Sequence, residues 1–303
     1  MTPLNELENI VIHIGWPKTA TRSLRQSFFQ VHPDINAVVA PRGFHYSEKE
    51  RAAFCLIRAL RQSPHRFAIT SQKIINDLLP ILFDSDRLNI VAAEALAIGA
   101  TPYNDVCLDA FSIGNRLKIL FPNAKIAMNI RSQLSILQST HIQLFSMMSD
   151  VSPDFDTFIQ DQFKLLETSV LPYYEYDSVV EHYQRTFGKE RVAVFVHEKL
   201  NQQFDVYTND LSQLTGIEVE EVRSFLRAQP RNQGSQKKRS FRMLAKTFLY
   251  QSALKRPFSV FTFIRNRAPG YQVVTDIENF YRNSNRRLSN LMDEDLSTFG
   301  YYH

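Results

Sequence analysis

The chain has 303 residues, 44% of them hydrophobic and 22% charged, with a formal net charge of +4. This length can bury a substantial core as one large α/β domain or two small ones, and the composition is that of an ordinary soluble globular protein. A charge of +4 is too small to argue for a nucleic-acid partner. Cys55 and Cys107 are the only cysteines and have no metal-ligand spacing, so free thiols in a reducing compartment are expected. Residues 1–9 lack the pattern of a signal peptide, and no apolar stretch has the length of a transmembrane helix. The expected location is the cytoplasm.

Ile10–Ile14 is a short β-branched run that reads as a buried strand, stopped by Gly15 and Pro17. Thr19, Thr21 and Ser23 then offer capping hydroxyls to a helix with Leu24, Phe28 and Val31 on one face. A strand over 36–40 and a helix over 48–61 follow, the latter spaced through Ala52, Leu56 and Leu60. The stretch 62–86 reads only as a strand or short helix with a loop. Strands over 88–94, 125–130 and 192–196 alternate with helices over 106–120, 134–148, 155–166 and 176–187. Leu108, Phe111, Leu117 and Leu120 are the expected core positions of the first of these helices. Further helices are expected near 205–214, 218–226, 236–251 and 277–291. Strands separated by helices imply βαβ units, a parallel sheet and an α/β fold. Without an evident linker or repeat, residues 1–303 read as one domain, with 236–303 a basic helical extension packed on it.

Ligands of an open parallel sheet sit beyond the carboxyl ends of its strands. Lys18, Glu94 and Arg131 all fall at such ends. After the first strand, a tight turn and a helix start would present free N–H groups, the positive end of a dipole and the Lys18 ammonium to an anion. The bland alternative is a turn with one solvated lysine. The loop is not a Walker A motif, because only three residues separate Gly15 from Thr19. Arg131 and Ser139, eight positions apart, could grip one phosphate between a guanidinium fork and a hydroxyl. Alternatively, Arg131 is a capping residue and Ser139 lies on the surface. Between Glu221 and Asp276 there are twelve Lys and Arg residues and no acid. That run suits either a solvated face or contact of 237–256 with a polyanion or an anionic membrane.

Pro17-Lys18-Thr19-Ala20-Thr21 after an N-terminal strand resembles the phosphosulfate loop of the PAPS-dependent sulfotransferases. Arg131 with Ser139 resembles that family's 3′-phosphate motif, in the form associated with bacterial, carbohydrate-type members. Phe187–Val192, Glu198-Lys199-Leu200, Arg231–Ser235 and Ser284–Leu288 follow in the family's order. The resemblance implies a P-loop-like three-layer fold, a central parallel sheet flanked by helices. It also implies that Gly15, Pro17, Lys18, Thr19, Ala20, Thr21, Arg22 and Ser23 bind PAPS or its product PAP, with Arg131, Ser139, Arg231 and Asn232 completing the cofactor site. Ala20 stands in place of the family's glycine, a mild change where the backbone does not need a positive φ. Arg22 stands in place of a hydroxyl residue, a role left to Ser23 or to Arg22 itself.

Sulfuryl transfer needs positioning, charge neutralisation on the leaving phosphate and a base for the acceptor hydroxyl. Lys18 fits the leaving oxygen, by analogy with phosphoryl transfer. Glu94 is the first choice of base and His45 the second, although a Glu at a helix start is also explained by the dipole. His141 is expected on a helix surface, His13 in the core, and Glu198 in a structural role. Phe44, Tyr46, Tyr103 and Phe145 are candidate walls of an acceptor pocket. No metal is expected. The sequence therefore reads as a PAPS-dependent sulfotransferase acting on a hydroxyl acceptor, with a carbohydrate preferred. The alternatives are an inactive nucleotide- or polyanion-binding protein and a small-molecule kinase.

Overall fold

The computed structural model describes residues 7–39, 47–93, 96, 109–148, 150–228 and 268–302. Five strands form one sheet: β1 (Ile10–Gly15), β2 (Ile35–Val39), β3 (Leu88–Ala93), β4 (Lys125–Ile130) and β5 (Val192–Val196). Their order is β2-β3-β1-β4-β5 and every pairing is parallel. All six residues of β1 are buried, as expected for the middle strand of a sheet covered on both faces.

Strand alternation divides the core into two layers. Ile10, Ile12, Ile14, Ile126 and Met128 face one side. There they meet α2 (Glu48–Leu60), α3 (Pro64–Lys73), α4 (Ala110–Leu120), α5 (Gln133–Met147), α6 (Phe155–Lys164) and α7 (Tyr176–Phe187). Helix α10 (Tyr271–Met292) joins this layer through Val273, Ile277, Tyr281 and Leu288. Val11, Ile90, Ala127 and Phe195 face the other side. They meet α1 (Thr21–Leu24, continued as a π-helical segment over Arg25–Phe29), α8 (Phe204–Thr215) and α9 (Val219–Ala228). Helix, sheet and helix make three layers, the P-loop-like α/β architecture expected of the sequence.

Several local expectations are corrected. Val31 is half exposed, because α1 widens to i→i+5 bonding, such as Gln30 N–H to the Arg25 carbonyl at 2.9 Å, and stops at Phe29. Phe29 and His32 are buried instead. The stretch after Arg61 is helical: Ser63 caps Pro64–Lys73, which continues through Ile74–Leu78 and Leu79–Leu82. Pro80 cannot donate the bond a regular helix would need there, and the chain is π-helical just before it. Helix α4 starts at Ala110, capped by Asp109, and exposes Phe111 while burying Ile113. Leu108 and the expected helix over 236–251 lie outside the described residues, as does Cys107. Among the described residues, no helix is long and apolar enough to cross a membrane.

Candidate functional site

The chain leaves β1 toward β2 on one side of the sheet and leaves β4 toward β5 on the other. The carboxyl ends of β1 and β4 are therefore a topological switch point, where open parallel sheets bind ligands. The loop Gly15–Ala20 and Arg131 both stand there.

Gly15 ends β1 packed so closely that a Cβ would press into the Thr21 methyl and lie 3.2 Å from the Asn129 Cβ. Trp16 then turns inward and is fully buried, its indole N–H donating to the Tyr173 carbonyl at 2.6 Å and its ring edge-on to Tyr176 at 4.7 Å. Thr19 is also buried, its hydroxyl donating to the Trp16 carbonyl at 2.6 Å. Lys18 is exposed with φ 72°, and Ala20 has φ 65°. Left-handed residues alternating along a turn direct backbone N–H groups to one side, an arrangement that suits anions.

Ala20 is the N-cap of α1 and brings no side-chain oxygen to the first-turn N–H groups. The expected hydroxyl caps do not form: Thr19 is spent on Trp16, Thr21 is buried, and Ser23 is already inside the helix. Arg22 is exposed beside this turn and Pro17 is half-buried. Positive φ at Ala20 decides the condition on which this replacement of glycine would be mild: the backbone does need the left-handed region, where an L-residue costs about 1–2 kcal/mol.

Arg131 follows β4 directly. Its Nη1 donates to the Lys18 carbonyl at 3.1 Å, and its Nε donates to the Ser135 hydroxyl at 2.8 Å. Its own carbonyl accepts the Tyr176 hydroxyl at 2.7 Å. Burial pushes the Arg131 pKa down, with Glu198 pulling it back, and a guanidinium stays charged under these conditions. Ser139 is one helical turn beyond Ser135 on α5 and half-buried, and its hydroxyl makes no hydrogen bond among the described residues. The serine that the guanidinium reaches is four positions on, not eight.

Glu198 supports this end of the sheet. Its Oε1 accepts the N–H of Ser132, the N-cap of α5, at 3.1 Å. Burial raises its pKa while the Ser132 and Arg131 contacts oppose the rise. Tyr301 is fully buried with its ring centroid 6.4 Å from that of Tyr176. Asn285 of α10 accepts from Gln133 at 2.7 Å, so the C-terminal helix also braces the start of α5.

His13 is buried as expected, but His141 is buried too, bonded through Nε2 to the Ser152 carbonyl at 2.7 Å and stacked on Phe158. Phe145 lies in the interior. Glu94, His45, Arg231, Asn232, Phe44, Tyr46, Tyr103 and the basic run 237–256 lie outside the described residues. Trp16, Asn129, Ser135 and Tyr176 are site supports that the sequence reading missed. The signal available for Asn129 was a polar residue near the end of an otherwise apolar strand. Among the described residues, no group of His, Cys, Asp and Glu could hold a metal ion.

No family model matches this sequence, and no curated protein matches it. Among solved structures, the chain is similar to a sulfotransferase from Alicyclobacillus acidocaldarius with a TM-score of 0.57. The two are 17% identical over 96% of this chain and 98% of the other. At that identity the likeness establishes a sulfotransferase-like fold.

Proposed function

We propose that this chain is a PAPS-dependent sulfotransferase that moves a sulfuryl group to a hydroxyl acceptor, with a carbohydrate as the preferred class. The observation that carries this reading is the meeting of two anion-binding elements: the Arg131 guanidinium donates to the carbonyl of Lys18 itself. One ligand with phosphate at each end of a nucleoside suits such a pair. The donor set fits it: the uncapped start of α1 and the Lys18 ammonium for the phosphosulfate, and Arg131 for the 3′-phosphate. When bound, PAPS supplies the activated sulfuryl group.

The roles of the chain's own residues follow from their chemistry. First-turn N–H groups and the left-handed turn orient the anionic end and offset its charge. Lys18 stabilises the oxygen from which the sulfuryl group departs. Arg131, held on Ser135, fixes the far end of the nucleotide and so the line of attack. Glu94 takes the acceptor proton, with His45 the second choice. Arg231, Asn232 and Ser139 complete the cofactor site, and carbohydrate preference rests on the likeness of the motifs to bacterial family members.

The test is transfer of labelled sulfate from PAPS to fractionated cell-extract acceptors by the wild-type protein and by Lys18→Ala. Label transferred by the wild type and abolished in the variant supports the proposal. PAP binding without transfer to any fraction would favour a non-enzymatic nucleotide-binding protein. Tight binding of ATP with magnesium and none of PAP would favour a kinase.

A further inference from the structure

We infer that Asn129 is the positioning residue of the β1 loop: its side-chain amide, held by His13, fastens the Thr19 carbonyl and so keeps Lys18 and Ala20 turned to present the anion-binding side. The effect on ligand affinity rests on the function proposed above; the effect on the loop does not.

Asn129 is fully buried near the end of β4, two residues before Arg131, which follows the strand directly. Its Oδ1 lies 2.8 Å from His13 Nε2. Its Nδ2 donates to the Thr19 carbonyl and to the Tyr207 hydroxyl, each at 3.3 Å. These contacts fix one another. An amide nitrogen has two hydrogens, so Thr19 and Tyr207 use both. The oxygen must then accept, which requires His13 to carry its proton on Nε2. His13 faces the Phe29 ring at 5.0 Å on one side and Asn129 on the other. Burial, reinforced by the Arg25 charge, lowers its pKa from 6.5 to about 4, so the ring stays neutral.

The loop needs such a clamp. Two non-glycine residues in left-handed conformation, with only Thr19 between them, persist only when surrounding contacts over-determine them. Those contacts include Arg131 on the Lys18 carbonyl, Asn129 on the Thr19 carbonyl and the Thr19 hydroxyl on the Trp16 carbonyl. With successive carbonyls held by the end of β4, the N–H groups that follow are left for a ligand. No other side chain of nearly the same shape meets all three partners. The substitution Asn129→Asp would keep an acceptor for His13 but set a carboxylate oxygen against the Thr19 carbonyl.

The experiment is hydrogen–deuterium exchange on the full-length wild type, Asn129→Asp and His13→Gln, paired with calorimetric titration of PAP. Asn129→Asp is expected to speed exchange of peptides over 15–24 about tenfold and weaken PAP about tenfold, the size of one lost hydrogen bond to the loop. Peptides from β3 should be unchanged, which a general loss of stability would not allow. His13→Gln, whose amide can still donate to Asn129, should retain slow exchange. If Asn129→Asp exchanges over 15–24 at the wild-type rate, the inference is overturned. If β3 accelerates equally, the role is structural and the inference also fails. If the loop accelerates while the wild type does not bind PAP, the clamp stands and the proposed function fails.

Discussion

The Arg131 guanidinium donates to the main-chain carbonyl of Lys18 at 3.1 Å, joining residues 113 positions apart at the mouth of the sheet. Each is the charged group of a separate candidate anion site, and the contact brings the two side by side. Replacing Arg131 by Met should therefore do two things: remove a cation and release the loop. The expected loss is about 1.5–3 kcal/mol of nucleotide binding, roughly ten- to a hundredfold in affinity. Arg131→Lys should recover only part of it, because a point charge cannot hold Ser135 and Lys18 together. Calorimetry with PAP measures both.

Ala20 makes a second prediction. Glycine there would remove the left-handed penalty of about 1–2 kcal/mol, offset by its extra backbone entropy of roughly 0.5–1 kcal/mol. Ala20→Gly should stabilise the protein by about 0.5–1 kcal/mol, read as a higher urea midpoint. Ala20→Val should destabilise it, since a β-branched residue is a genuine outlier at positive φ.

Gly15 has no room for a methyl group between Thr21 and Asn129. Gly15→Ala should cost about 1–3 kcal/mol of stability, as overpacking does, and displace the loop. A urea titration gives the first effect and loss of PAP binding the second.

Buried histidines set the acid limb of stability. His13 and His197 are each lowered from 6.5 to about 4, burial being the main cause. The unfolded chain takes up protons below about pH 6.5 that the folded chain refuses, so their stabilisation is full above 6.5 and is lost as pH falls toward 4. The slope is at most about 1.4 kcal/mol per pH unit for each ring. Glu198, raised by burial, works in the opposite direction as it takes up its proton. Unfolding free energies measured at intervals from about pH 7 to pH 4 should fall, and His13→Gln should flatten the curve by one proton.

Asp177 anchors the C-terminal helix: it is buried and accepts from Ser284 and, at 2.6 Å, from Arg287 Nε. Asp177→Ala should cost about 2 kcal/mol by leaving Ser284 unmatched in the interior. Arg287→Ala should also destabilise, by about 1–3 kcal/mol, because the buried Asp177 carboxylate loses its cation and keeps the Ser284 hydroxyl. Urea unfolding of the two variants measures both.

Elements with strong local signals were legible in the sequence. Short, mainly apolar runs gave β4 and β5 with the bounds observed, and apolar spacing gave α7 from Tyr176 to Phe187. The region after Ser63 was not, because apolar positions interrupted by Asp77 and Pro80 hid a helix that packs through Phe67, Ile74, Leu79 and Leu82. At the site, Lys18 and Arg131 stood out as charges at strand ends. Their supports did not: Asn129 acts through contacts with residues 13, 19 and 207, which no local spacing encodes. The choice of Ser135 over Ser139 depends on where a guanidinium points after the strand ends.

The most direct measurement of the central claim is a double-mutant cycle in PAP binding, using calorimetry on the wild type, Lys18→Ala, Arg131→Met and the combination. If one nucleotide spans both groups, each single variant weakens the same one-to-one binding event and the two effects couple, by about 0.5–3 kcal/mol for neighbouring residues. Absence of PAP binding by the wild type, or binding untouched by either substitution, would contradict it.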